Sequence, residues 1–270
     1  MAVLNKYFGV ETQVGLTSLY DVADGCSAGP AESVNQDERN VLFSVHRLDK
    51  ATTGCLMFGR TKDMARELSR QFKGRTIEKT YYAVVRGGSE SFKESSGIMN
   101  RAIEVSLEGL ATLAPPGRES PHGTSVTKWE LVGSSPVLPL SLLRLRMHTG
   151  HKHQLRIHLS KLLHTPILGD QKHSAKKPTN SILRSLESLN IPPDRLFLHS
   201  SSLGIIVRRH VKTGKRFRLG IQAPFPQDFT ELLKHSQIPF DPEASSSQLS
   251  VDGQALSDSS VPELDGYLLS

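Results

Sequence analysis

HRLDKATTG, residues 46–54, is a polar segment set between two apolar runs, VLFSV at 41–45 and CLMF at 55–58. The flanking runs read as buried strands. A polar segment held between core strands is positioned rigidly, which is what a catalytic group requires. Asp49 is its only carboxylate.

Working outward, Thr61 can cap a helix in which Met64, Leu68 and Phe72 recur at i, i+4 and i+8, with Gly74 near its end. TIEKTYYAVVRG (76–87) reads as a strand with Ile77, Lys79, Tyr81 and Ala83 on one face. Upstream, AVLNKYFGV opens as a short strand, TSLYDVA (17–23) as a short helix capped by Thr17, and 25–40 as a loop. Downstream, 87–123 is Gly-, Ser- and Pro-rich and suggests a long excursion or irregular hairpin.

SVTKWELV and LLRLRMH follow as strands. In the second, Leu143, Leu145 and Met147 alternate with Arg144, Arg146 and His148, giving one core face and one basic face. In HKHQLRIHLSKLLH, Leu155, Leu159, Leu162 and Leu163 mark a helix packed on one side, and PILGD closes that unit. Residues 171–195 read as a basic insertion containing the helical SILRSLESL. LFLHSSSLGIIV and KRFRLGIQA are strands, and PQDFTELLKH is a helix with Pro226 near its first turn. There is no internal repeat and no regular strand-helix alternation. The expected class is α+β on a mixed, largely antiparallel sheet.

The net charge of +6 hides a split. Residues 236–270 hold six acids and no Lys or Arg, so residues 1–235 set 33 basic residues against 21 acids, a balance of +12. A basic body favours a polyanionic partner, and RNA or DNA is the commonest. Nine of the last 35 residues are Ser, without helical or strand period. The expected division is therefore a folded domain at 1–235 and a disordered acidic tail at 236–270. No run approaches the roughly 18 apolar residues of a membrane span. The first residues lack a signal core or transit-peptide pattern, and two cysteines, Cys26 and Cys55, read as free thiols of a reducing compartment.

Other chemistries fit poorly. HRLDK has the wrong spacing for a kinase catalytic loop and lacks a Gly-rich loop before it. His151, His153 and His158 lack nearby Cys or carboxylate at ligand spacing, so no metal site is expected. Gly-rich nucleotide fingerprints and a Gly-x-Ser-x-Gly elbow are absent.

HRLDKATTG resembles the catalytic signature of the RluA-type RNA pseudouridine synthases. VLNKYFGV is similar to that family's first strand and Asn-Lys turn, IEKTYYAVVRG to its Lys-x-Tyr-x-Ala strand, and TGHKHQLRIHLSKLLHTPILGD to its third motif. LFLHSSSLG and APFPQDF also match, so the likeness covers roughly residues 2–230 in family order. KHQLR is spelled as in the mitochondrial members of eukaryotes.

The resemblance implies the pseudouridine synthase fold and isomerisation of uridine to pseudouridine in structured rRNA, tRNA or mRNA, without cofactor or metal. It implies Asp49 as nucleophile or electrostatic partner of the sugar, Tyr81 against the base, and Arg156 paired with the aspartate. Arg47 would fill the space left by the flipped uridine, and His46 would support the loop as well as bind RNA. Lys50, Lys152, His153 and Gln154 complete the expected RNA contacts, with Arg144, Arg146 and the insertion adding phosphate affinity. The implied partner is RNA, the chain acting as a monomer, with a partner protein as one route to substrate choice. A mitochondrial location is implied by the likeness, and cytoplasm or nucleus is the alternative.

Two positions depart from the family pattern: Thr53 stands where Ser is usual, and His151 where Arg is usual. The additional N-terminal RNA-binding domain of some relatives is not expected here. The competing reading is a non-catalytic RNA-binding or ribosome-assembly factor that keeps the fold. A DNA-binding protein has only the charge in its favour.

Overall fold

β4 (Glu78–Arg86) lies inside the sheet because it is apolar on both faces. Tyr81, Ala83 and Val85 point to one buried cluster, Tyr82 and Val84 to another. The computed structural model describes residues 1–10, 42–117, 123–174, 176–208 and 216–256. The expected helix at Thr17, the loop at 25–40 and Cys26 lie outside the described residues.

β4 pairs antiparallel with β8 (Leu140–Met147) and with β9 (Leu198–Arg208). From edge to edge the order is β12 (Gln254–Ala255), β11 (Gln248–Val251), β10 (Arg216–Gln222), β9, β4, β8, β7 (Thr124–Ser134), β5 (Ser96–Val105) and β6 (Ala111–Leu113). A branch leaves this path at β9: β3 (Thr53–Gly59) runs parallel to it, and carries β1 (Ala2–Lys6) and β2 (Phe43–Ser44) antiparallel on itself. Every other pairing is antiparallel, as expected of the mixed sheet. Within the 87–123 stretch, residues 96–113 form a hairpin, β5 and β6 joined by a turn at 106–110.

Helices cover both faces. α2 (Gln154–Lys161) lays Leu155 and Leu159 against Tyr81, Ala83, Leu143 and Leu145. On the opposite face α3 (Asn180–Ser188) and α4 (Gln227–His235) bury Ile182, Leu186, Phe229 and Leu232 against Tyr82, Val84 and Leu142. α1 (Lys62–Lys73) begins as expected, with Thr61 accepting from the Met64 N–H, and ends at Gly74. Its buried stripe is shifted. Met64 stays exposed and Gln71 is buried instead, its amide pairing with both the N–H and the carbonyl of Ile206 that β10 leaves unused.

The β3–β9 contact needs Gly54. Its φ is +107°, and a Cβ there would lie 2.2 Å from the Ser200 carbonyl oxygen. Gly54→Ala combines left-handed strain with backbone overlap, so a loss of at least about 4 kcal/mol is expected. A urea melt checks this: a midpoint within error of the wild type would show that β3 can move away from β9.

One organisational expectation is corrected. Residues 236–256 are not a disordered tail: Ile238 and Phe240 join the core beside α4, and β11 and β12 extend the sheet. Leu249 and Val251 supply the apolar parity, and Asp252-Gly253, both at positive φ, make the turn. The Ser-rich composition masked that Asp-Gly hairpin signal. The 171–195 insertion contains the expected helix and also contributes to the core. Ile182, Leu186 and Ile191 are core, while Arg195 is buried and forks onto Asp228 at 2.6 and 3.2 Å. Lys172, Lys176, Lys177 and Arg184 remain exposed.

Candidate active site

The polar stretch becomes the connection between β2 and β3. Thr52 N–H donates to the Asp49 carbonyl at 2.9 Å, closing a turn over 49–52. Lys6, at the end of β1, is 2% exposed, and its ammonium donates to the carbonyls of Lys50, Val10 and Tyr7. Burial lowers it to about 8, with Asp49 pulling the other way. Asn5 and Lys6 are thus strand residues, and Lys6 anchors the turn; no sequence signal beyond the Asn-Lys pair marked that role.

His46 stacks on Phe72 with centroids 4.4 Å apart, and its Nε2 accepts from the Met57 N–H at 2.9 Å. The ring proton therefore sits on Nδ1. Burial pushes the imidazole down to about 4, so it is neutral and fixes the loop.

Asp49 opens onto a cavity of about 460 Å³ whose walls include Arg47, Lys79, Tyr81, Lys152, His153 and Arg156. Residues far apart in sequence meet here. Asp49 Oδ2 is 3.6 Å from Arg156 Nη1 and 3.8 Å from His153 Nε2, and the Asp49 side chain is 24% exposed. Arg156 is otherwise engaged than expected from sequence. Its two-pronged hydrogen bond goes to Asp170, Nε to Oδ2 at 2.9 Å and Nη2 to Oδ1 at 2.7 Å, leaving Nη1 for Asp49. Burial pulls the guanidinium down, but the bonds to Asp170 and the two carboxylate charges outweigh it and raise it overall. Asp170 is lowered in turn: burial opposes this, and Arg156 and the His173 N–H overcome it. Asp170 escaped sequence reading because nothing in PILGD distinguishes a buried carboxylate from a turn residue.

Tyr81 reaches the cavity from β4, beside a bulge where β9 inserts an extra residue between the partners of Thr80 and Tyr81. Burial raises its hydroxyl to about 12, partly offset by Ser200, so it is protonated at neutral pH. Tyr82 packs edge-on against Phe225 across the sheet. Lys79, on the same face as Tyr81, donates to the Thr149 carbonyl and is lowered to about 8 by burial and then Arg75.

Arg47, Lys50 and Lys152 are exposed, Arg47 and Lys152 on the cavity wall, with Lys152 donating to the Gly109 carbonyl in the β5–β6 turn. Gln154, expected among the RNA contacts, lines the cavity from a buried position tied to the fold. It is 1% exposed, and its amide bonds Thr149, the His151 N–H, Val126 and Thr127. Arg144 and Arg146 alternate with Leu143 and Leu145 and so face away from the cavity, Arg144 pairing with Glu130. Of the departures from the family pattern, Thr53 bonds His199 at 2.9 Å and His151 bonds Ser125 at 2.6 Å.

Burial holds His46, His158, His173 and His199 at about 4, below the ordinary 6.5. Between these values the unfolded chain binds protons that the folded chain does not. Their stabilisation is complete above about pH 6.5 and is lost as pH falls toward 4. Urea unfolding should show a lower midpoint at pH 5 than at pH 7.5; equal midpoints would mean these rings are not held neutral.

The mixed sheet thus carries an aspartate turn next to one of its strands, opposite a tyrosine and an arginine from distant elements. The family model described as RNA pseudouridylate synthase matches residues 1–161, and the chain belongs to that family. It is 32% identical over 187 residues to tRNA pseudouridine synthase C of Yersinia pestis, covering 66% of this chain and 67% of that protein. It is 35% identical over 170 residues to the Pectobacterium carotovorum protein of the same name, covering 60% and 43%. To the Xenopus tropicalis protein named pseudouridylate synthase RPUSD4, mitochondrial, it is 31% identical over 220 residues, covering 72% and 65%. The chain thus spans from 43% to 67% of these curated relatives. Among solved structures it is similar to human RNA pseudouridylate synthase domain containing 4, with TM-score 0.66 and 26% identity over 88% of this chain and 90% of that one. For human domain containing 1 the TM-score is 0.59 at 25% identity, covering 85% and 82%.

Proposed function

We propose that the protein converts uridine to pseudouridine within structured RNA, with Asp49 as the central catalytic group. The observation that carries this reading is the Asp49 carboxylate held 3.6 Å from Arg156 Nη1 in a cavity large enough for a nucleotide. In the reaction the N1–C1′ bond breaks and a C5–C1′ bond forms; C5 loses a proton and N1 gains one. Arg156 sets a positive charge beside the carboxylate and the reacting sugar. Tyr81 faces the base, and because its hydroxyl is protonated at neutral pH it takes up the C5 proton only as it passes its own on.

Arg47, exposed beside Asp49, can stack in the space vacated by the flipped uridine. Lys50, Lys79 and Lys152 supply phosphate contacts, so affinity falls with salt. His46 keeps the loop in place. The bacterial relatives are named for tRNA, which makes tRNA the first substrate to try, with rRNA next. The Xenopus relative supports a mitochondrial location, and the protein acts as a monomer in this reading.

Pseudouridine mapping of total RNA from cells with and without the protein tests the activity and names the substrate. Sites that vanish on deletion and return with the wild-type protein are expected. Identical maps, together with no product from purified protein on those RNAs, would overturn the proposal.

A further inference from the structure

His153, on the cavity wall, meets the buried His173 ring to ring. Nδ1 of His153 lies 2.7 Å from Nε2 of His173, with the ring planes 80° apart. The other nitrogen of His153, Nε2, is the one 3.8 Å from Asp49 Oδ2. One imidazole therefore spans from a second imidazole to the proposed catalytic carboxylate.

A neutral imidazole donates from one nitrogen and accepts at the other, so two arrangements satisfy the short contact. If His153 donates from Nδ1, its Nε2 lone pair points at the carboxylate, which is repulsive. If His173 donates from Nε2, His153 accepts at Nδ1 and turns an N–H toward Asp49. The carboxylate charge selects the second. Both rings are kept neutral by burial, His173 at about 4 and His153 below its ordinary value. The charged groups acting on His153 are Asp49, Arg156, Lys172 and Lys152; those acting on His173 are Asp170, Arg156 and Lys172.

Both rings are held by backbone. His153 sits at φ 56°, immediately before α2, and the carbonyl of His173 accepts from Ser160 within that helix. The His173 N–H donates to Asp170 Oδ1 at 3.0 Å, the same oxygen that receives Arg156 Nη2. Asp170 thus holds in place the two arms that converge on Asp49.

We infer that His173 is a positioning residue which, acting through His153, fixes the tautomer that aims an N–H at Asp49. It touches neither the sugar nor the base, and its effect on rate rests on the proposed activity.

The test has an arm independent of activity. Long-range ¹H–¹⁵N correlation on labelled wild type, assigned with His153→Gln and His173→Gln, should show both rings protonated at Nε2. Finding His153 protonated at Nδ1 overturns the inference, whatever the activity of the wild type. With His173→Phe, the single-turnover rate should fall about tenfold at unchanged RNA affinity, and with His173→Gln, which keeps a donor, it should return to within about threefold. Equal rates for wild type and His173→Phe also overturn it. If the wild type forms no pseudouridine, the proposed activity has failed, and the tautomer reading still decides the arrangement of the pair.

Discussion

Asp49→Ala should reduce pseudouridine formation by at least about a thousandfold while leaving RNA affinity within about threefold of the wild type. The carboxylate is the only acid of the 46–54 turn, and it is aimed into the cavity by contacts that do not depend on its own side chain. The 49–52 turn closes through its backbone, Lys6 grips the Lys50 carbonyl, and His46 is fixed by Phe72 and Met57. Removing the side chain therefore leaves the loop standing. Binding should persist, because a carboxylate facing an anionic ligand contributes little to affinity or opposes it. Asp49→Asn should be equally inactive despite its matched shape, since charge is what Arg156 complements. Single-turnover assays and filter binding separate the two quantities. Equal product from wild type and Asp49→Ala would favour a non-catalytic RNA-binding protein with the same fold.

Removing Arg156 should affect stability and activity together. Asp170 has a side chain 1% exposed, and Arg156 is its principal counter-ion. Arg156→Met leaves a buried carboxylate without that partner, at a cost of about 3–5 kcal/mol. It also removes the cation 3.6 Å from Asp49. The two effects can be separated. Arg156→Met combined with Asp170→Asn takes away the unpaired charge and should recover most of the stability, while product formation stays at background. Urea melts and single-turnover rates on the single and double variants read this out. Recovery of activity in the double variant would show that Arg156 serves only to neutralise Asp170.

The elements that position the site were legible where periodicity is strong. β4 and β8 follow from alternation, α1 from its Thr61 cap and Gly74 stop, and α2 from its leucines. Reading failed where composition and local pattern disagreed. Residues 236–256 are Ser-rich and acidic yet pair with β10, because Leu249 and Val251 find an apolar surface that only the folded sheet provides. Gln154 looks like a surface amide and is buried, because its four hydrogen-bonding positions are matched by groups 3 to 28 residues away.

By itself the sequence indicated the class of fold, the single carboxylate of the 46–54 segment and the strand that carries Tyr81. These depend on residue order and local periodicity, which the chain carries in one dimension. Only the tertiary structure decided that Arg156 is shared between Asp49 and Asp170, that Lys6 secures the 49–52 turn and that His173 stands behind His153. Such roles depend on which buried charges and ring nitrogens come within about 4 Å of each other, and a charge removed from water is steadied by neighbours in space rather than in sequence.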